Sequence, residues 1–233
     1  MAEVRTPVTV DLKGRMVTIE IEGLDTVERA LGDLRGKTPQ ALKVAVNQTA
    51  REARKMMIAA AKARYVVNAA GQRHLNDLKQ KKKATNTNPA ATLFISKMRN
   101  DLAYFENMPT TVYSGMNVRH APQFVKARVL ADSGLKDLTG KGNLSKGFLA
   151  QFKSGHIGMV QRVIGSKSSH TVTESGRPRW RNAQGNVEKL QTMGAPSATA
   201  MHTQVWPEVQ EDVRYYLMAR IQDRVDWILA RYS

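Results

Sequence analysis

Between Gly36 and Gly71 the chain has no glycine and a single proline, Pro39, placed where a helix can begin. Thr38-Pro39 reads as N-cap and first helical residue. Leu42, Ala45, Val46, Thr49, Ala53, Met56, Met57 and Ala60 then recur at helical steps, and nothing breaks the pattern before about Arg64. At 1.5 Å per residue such a helix spans about 40 Å. A stripe this long and this rich in alanine needs a broad surface to pack on, and its small side chains allow close approach to a sheet. It is read as core and not as a cofactor site.

Strands to supply that surface are legible on both sides of the helix. Val8, Val10 and Leu12, then Val17, Ile19 and Ile21, alternate with polar residues around Lys13-Gly14-Arg15, which predicts an antiparallel hairpin over 7–21. Asp25 is placed to cap a short helix through Val27, Leu31 and Leu34, ended by Gly36. Ala91–Ser96, Gln123–Leu130 and Ile157–Ile164 are further strand candidates, the second with an apolar face at Phe124 and Val129. Pro207 is placed to open a C-terminal helix with Val209, Val213, Leu217, Ile221, Val225, Ile228 and Leu229 on one stripe. Glu208, Glu211 and Asp212 in its first turns and Arg231 in its last agree with the macrodipole. The expectation is one α+β domain over 1–233: an antiparallel sheet packed by the long helix and the C-terminal helix, with basic excursions at 65–90 and 166–186.

Charge is segregated along the chain. With 36 Lys and Arg against 20 Asp and Glu, the net charge is +16, which favours polyanionic partners without choosing among them. Residues 1–34 carry 4 basic and 7 acidic side chains, residues 35–83 carry 13 and 2, residues 141–189 carry 9 and 2, and residues 204–233 carry 4 and 5. Lys79, Lys81, Lys82 and Lys83, with Arg73, are candidate phosphate contacts in a projecting loop. Arg177, Arg179 and Arg181 around Trp180 offer guanidinium contacts or stacking. The alternatives stay open: the lysines can simply solubilise a loop, and Trp180 can pack on a neighbouring subunit. With 6% aromatic residues and no recognition-helix pattern, any nucleic-acid contact is expected to be backbone-directed.

Most catalytic chemistry lacks its residues. There is no cysteine, so thiolate metal sites, iron–sulfur clusters and cysteine nucleophiles are excluded. His74, His120, His156, His170 and His202 do not fall at metal-ligand spacing, and no Gly-x-Ser-x-Gly elbow is present. Gly140-Lys141-Gly142-Asn143-Leu144-Ser145-Lys146-Gly147 fits neither a P-loop nor a dinucleotide fingerprint and reads as a flexible basic turn. No enzyme, no cofactor and no metal are expected. The N-terminus lacks the apolar core of a signal peptide and no stretch reaches the length of a membrane span, so a soluble protein made in the cytosol is expected.

One segment is more specific. Phe148-Leu149-Ala150-Gln151-Phe152-Lys153-Ser154-Gly155-His156-Ile157-Gly158-Met159-Val160-Gln161-Arg162-Val163 resembles the prophage minor tail protein Z family of long-tailed phages. The helix Ala41–Ala50, the basic segment after it and Ala195-Pro196-Ser197-Ala198-Thr199-Ala200-Met201 fit the same family in order. The resemblance implies a virion protein assembled in the host cytoplasm: a tail-completion ring at the head-proximal end of the tail, with a fold similar to tail terminator and neck proteins. It further implies a homohexamer that meets neighbouring tail and neck proteins and can contact packaged DNA non-specifically. The rival reading is a standalone non-specific nucleic-acid-binding protein. No membrane partner is expected.

Overall fold

A computed structural model describes residues 7–110, 112, 125–152, 154–172, 176, 178–179 and 181–232. Where the sequence predicts one domain, the chain divides into two compact units, Met1–Ala63 with Arg73–Met98 and Ser197–Ser233, and Arg64–Gln72 with Arg99–Pro196. The division falls where no periodic pattern could report it, because the first unit is assembled from three separate stretches of chain.

The first unit is helices on one face of an antiparallel sheet. β1 (Val8–Lys13) and β2 (Met16–Ile21) form the expected hairpin, with Gly14 at φ +58° making the turn. α1 (Leu24–Leu31) follows, then α2 (Thr38–Arg64), α3 (Ala69–Leu75), of which Arg73–Leu75 belong to this unit, β3 (Leu78–Lys82), β4 (Ala90–Ile95) and α4 (Ala198–Tyr232). The sheet order is β1-β2-β4-β3, and every pairing is antiparallel. Val17, Ile19 and Ile21 of β2 and Ala91, Leu93 and Ile95 of β4 point one way, as the two-residue period requires, and join one core with Leu42, Ala45, Val46, Ala53 and Met57 of α2. Val213, Leu217, Ile221, Val225 and Ile228 of α4 close that core.

Two helix boundaries and two expected caps depart from the sequence reading. α1 stops at Gly32, not Gly36, and a 3-10 turn over Gly32–Lys37 runs directly into α2; Asp25 lies in the first turn of α1 and makes no side-chain cap. Thr38 starts α2 as expected, yet its Oγ1 has no hydrogen-bond partner and so caps nothing. α4 begins at Ala198, so Pro207 lies inside it. The true cap is Ser197, whose Oγ accepts from the Ala200 N–H at 3.2 Å. An interior proline costs a helix about 3 kcal/mol, and the buried Met201, Val205 and Trp206 on the turns before it offset that cost.

Both outer strands of this sheet have backbone groups already engaged by side chains. On β1, the Val10 carbonyl accepts from Gln210 Nε2 at 2.8 Å and the Leu12 N–H donates to Asp11 Oδ1 at 2.7 Å. On β3, the Leu78 carbonyl accepts from Arg54 Nε at 2.8 Å. Side-chain plugs of this kind discourage edge-to-edge pairing with another chain.

The second unit is built from short antiparallel strands. β5 (Asn100–Asp101) pairs with β12 (Gly194–Ala195); β6 (Glu106–Met108), β7 (Lys126–Arg128) and β8 (Lys136–Asp137) form a second sheet; β9 (Phe148–Gln151), β10 (Ile157–Val163) and β11 (Lys189–Thr192) form a third. Its core gathers Leu102, Ala103, Val125, Ala127, Leu149 and Met159, with Val129 packed against them. The strand expected over Gln123–Leu130 therefore shortens to three residues, and Phe124 lies outside the described residues. The basic stretch 166–186 carries no strand or helix among its described residues, only an isolated bridge between Val172 and Pro178.

Candidate functional site

The lysine cluster does not project as a loop; it is a strand. Leu78 is buried against the core and the Gln80 side chain turns to α2, while Lys79, Lys81 and Lys82 of β3, and Lys83 after it, are exposed. Four positive charges in five residues hide this short alternation, since the inward positions number only two. Asn47 of α2 fixes the segment at both ends: its Oδ1 accepts from Gln80 Nε2 at 2.9 Å and from the Ala84 N–H at 3.0 Å, and its Nδ2 donates to the Ala84 carbonyl at 3.0 Å. A register shift between Gln80 and Lys82 lets Lys81 bulge. Its Nζ then lies 5.6 Å from the Phe94 ring centroid on β4.

The register extends this surface across the outer face of the sheet. Lys13, Met16, Phe94 and Lys79 stand opposite one another on successive strands, and Lys82 faces Thr92. Among the described residues only Lys79 in the cluster has a carboxylate partner, Asp77, at 3.1 Å. The result is a mostly un-neutralised basic edge beside an apolar pair, fitted to a polyanion or an acidic protein surface and carrying no base-reading geometry. Arg73 is exposed on α3, in the same unit.

The second group of predicted contacts belongs to the other unit. Arg179 Nε donates to the Val172 carbonyl at 2.9 Å and Arg181 Nη1 to the Gly185 carbonyl at 2.8 Å, so both guanidiniums brace their own loop while remaining exposed. Arg177 and Trp180 lie outside the described residues.

The segment that carries the family resemblance forms a single structural unit around Asp101. β9 turns into β10 through Gly155 at φ +79°, with the Phe152 N–H donating to the His156 carbonyl at 2.8 Å. Asp101 is buried, and its Oδ1 accepts from the Ala103 N–H at 2.9 Å and the Met159 N–H at 2.8 Å. Its Oδ2 faces His156 Nε2 at 3.4 Å. The imidazole stacks on Phe152, centroids 5.7 Å apart, and meets Tyr104 edge-on at 5.8 Å. Burial, and secondarily the nearby Asp101 charge, push the Tyr104 hydroxyl above its ordinary value.

Two glycines in Ser154-Gly155-His156-Ile157-Gly158 follow from this geometry. Gly155 takes a left-handed conformation, and a Cβ on Gly158 would lie 2.8 Å from Asp101 Oδ2 and 2.9 Å from the Phe152 ring. Sequence reasoning identified the segment and missed Asp101, which is 58 residues from Met159 and belongs to no motif. Among the described residues no group of three or more His, Asp or Glu is placed to hold a metal ion, and no helix is long and apolar enough to cross a membrane.

Comparison with models of protein families, with curated proteins and with solved structures finds no match to this chain.

Proposed function

We propose that the protein is a structural component of a phage virion, a tail-completion or terminator-like ring at the head-proximal end of the tail. The observation that carries this reading is that the resembling residues are interdependent. His156, Gly158 and Met159 converge on Asp101, Phe152 stacks on the His156 ring and Gly155 makes the turn, so that together they shape one hairpin. A motif whose residues hold one another is what a scaffold role requires, and the family resemblance supplies which scaffold. The basic edge on Lys79, Lys81, Lys82 and Lys83 is compatible with a ring at the DNA passage, where backbone-directed attraction suffices.

The rival, a standalone nucleic-acid-binding protein, is favoured by that same edge alone. Oligomeric mass and particle phenotype separate the two. A tail-completion protein forms a ring, sixfold on the family's pattern, and its deletion leaves particles with heads and tails unjoined. A standalone binder stays monomeric or dimeric, and particle assembly is unaffected by its loss.

A further inference from the structure

α4 turns a row of aromatic and arginine side chains outward that the sequence reading did not single out. Tyr216, Arg220, Arg224, Trp227 and Arg231 follow at steps of three and four residues and share one flank of the helix. The guanidiniums stand over the rings: Arg220 is 5.2 Å from the Tyr216 centroid, and Arg231 is 5.0 Å and Arg224 5.9 Å from that of Trp227. Trp227 is nonetheless 46% exposed. Arg220 has Asp223 at 2.6 Å, whereas Arg224 and Arg231 have no carboxylate partner among the described residues. A cleft of about 190 Å³ between α2 and α4 is lined by Gln48, Arg220, Asp223, Arg224 and Trp227.

Trp, Tyr and Arg are the side chains that carry binding energy at protein interfaces. A nucleic-acid strand suits this cleft poorly, because Asp223 lines it and residues 204–233 are net negative, with 4 basic and 5 acidic side chains. A carboxylate beside an apolar group fits it better. The same chain presents that chemistry where β2 gives way to α1: Leu24, 42% exposed at the start of α1, is flanked along the chain by the exposed Glu20, Glu22, Asp25 and Glu28. Glu20 and Glu28 are exposed and have no cationic partner among the described residues. An arginine patch facing its own copy would repel, so twofold self-pairing is disfavoured. An arginine patch meeting an acidic one is a heterologous contact, which repeats from copy to copy and gives a ring when the rotation between copies closes.

We propose that Trp227, Arg220, Arg224 and Arg231 form the docking surface for a second copy of this chain, which enters through its acidic segment around Leu24. The inference rests on the ring reading above. The plugged sheet edges support it, since they leave side-chain surfaces and not strand addition to join subunits.

The test is native mass and sedimentation of the purified full chain against two charge-reversal variants, Arg220→Glu with Arg224→Glu, and Glu20→Lys with Glu28→Lys, and against Trp227→Ala. Each variant alone is expected to associate at least about tenfold more weakly than the wild type. An equimolar mixture of the two reversal variants is expected to associate again, because each retains the surface the other lacks. Misfolded variants cannot produce that recovery. Association of all three variants at wild-type strength, a mixture that stays monomeric, or DNA binding that Arg224→Glu abolishes would overturn the docking surface and leave the ring reading standing. A wild type that is monomeric in solution and in particles would remove the ring reading itself.

Discussion

His202 of α4 holds the Leu75 carbonyl at the end of α3 through Nε2, at 2.9 Å, and its other ring nitrogen, Nδ1, is buried with no partner. The carbonyl can only accept, so Nε2 carries the proton and Nδ1 a bare lone pair. Protonating Nδ1 would place a charge and an unanswered donor in the core. Burial accordingly lowers the His202 value below 6.5, with the Leu75 hydrogen bond opposing in part.

This arrangement predicts a stability loss on mild acidification. Below about 6.5 the unfolded chain takes up a proton at His202 that the folded chain refuses, so stability falls as pH drops until the lowered folded value is reached, and levels there. Urea unfolding at a series of pH values between neutrality and 5 should show this slope. His202→Gln, which can still donate to Leu75, should flatten its His202 component. An identical slope in the variant would assign the acid sensitivity elsewhere.

Gly158→Ala should destabilise the protein by about 1–3 kcal/mol, because the new Cβ would contact Asp101 and Phe152 inside normal packing distance. Gly194→Ala serves as the control, since nothing lies within 4 Å of its added Cβ and its φ is not positive; it should shift stability by about 0.5 kcal/mol or less. Denaturant midpoints at constant slope compare the two. Equal effects would mean that the clamp around Asp101 is not tightly packed.

Asn47 and the lysines it brackets should separate stability from charge. Asn47→Ala removes the partner of Gln80 and of the Ala84 backbone and should cost about 1–3 kcal/mol. Replacing Lys79, Lys81, Lys82 and Lys83 by glutamine should alter stability by about 0.5 kcal/mol or less per site. The same four replacements should flatten the logarithmic salt dependence of DNA binding by roughly 3 to 4 if each lysine neutralises a phosphate. An unchanged salt slope with lost particle assembly would move the basic edge to a protein interface.

The parts of the fold legible in the sequence are those with long, uninterrupted periodicity. α2 ends where its pattern does, and the stripes of β2, β4 and the second half of α4 are buried as their spacing requires. What escaped detection has local physical causes. Charge masked the alternation in β3, and Pro207 mimicked a helix start because proline suits a first helical turn, although Ala198, Met201 and Val205 already fall at helical steps before it. The pairing of Asp101 with His156, and the division into two units, arise from contacts between residues distant in the chain, which no spacing rule reports. The arginine row on α4 was visible at three- and four-residue steps, yet a segment near neutral in total charge drew no attention to it.

The most direct measurement of the tail-completion role is electron microscopy and infectivity of phage particles made with and without the gene for this chain, the protein being supplied in trans as a control. The tail reading requires filled heads and separate tails that fail to join in its absence, infectivity lost, and both restored by the supplied protein. Particles that assemble, join and infect normally without it would contradict that role.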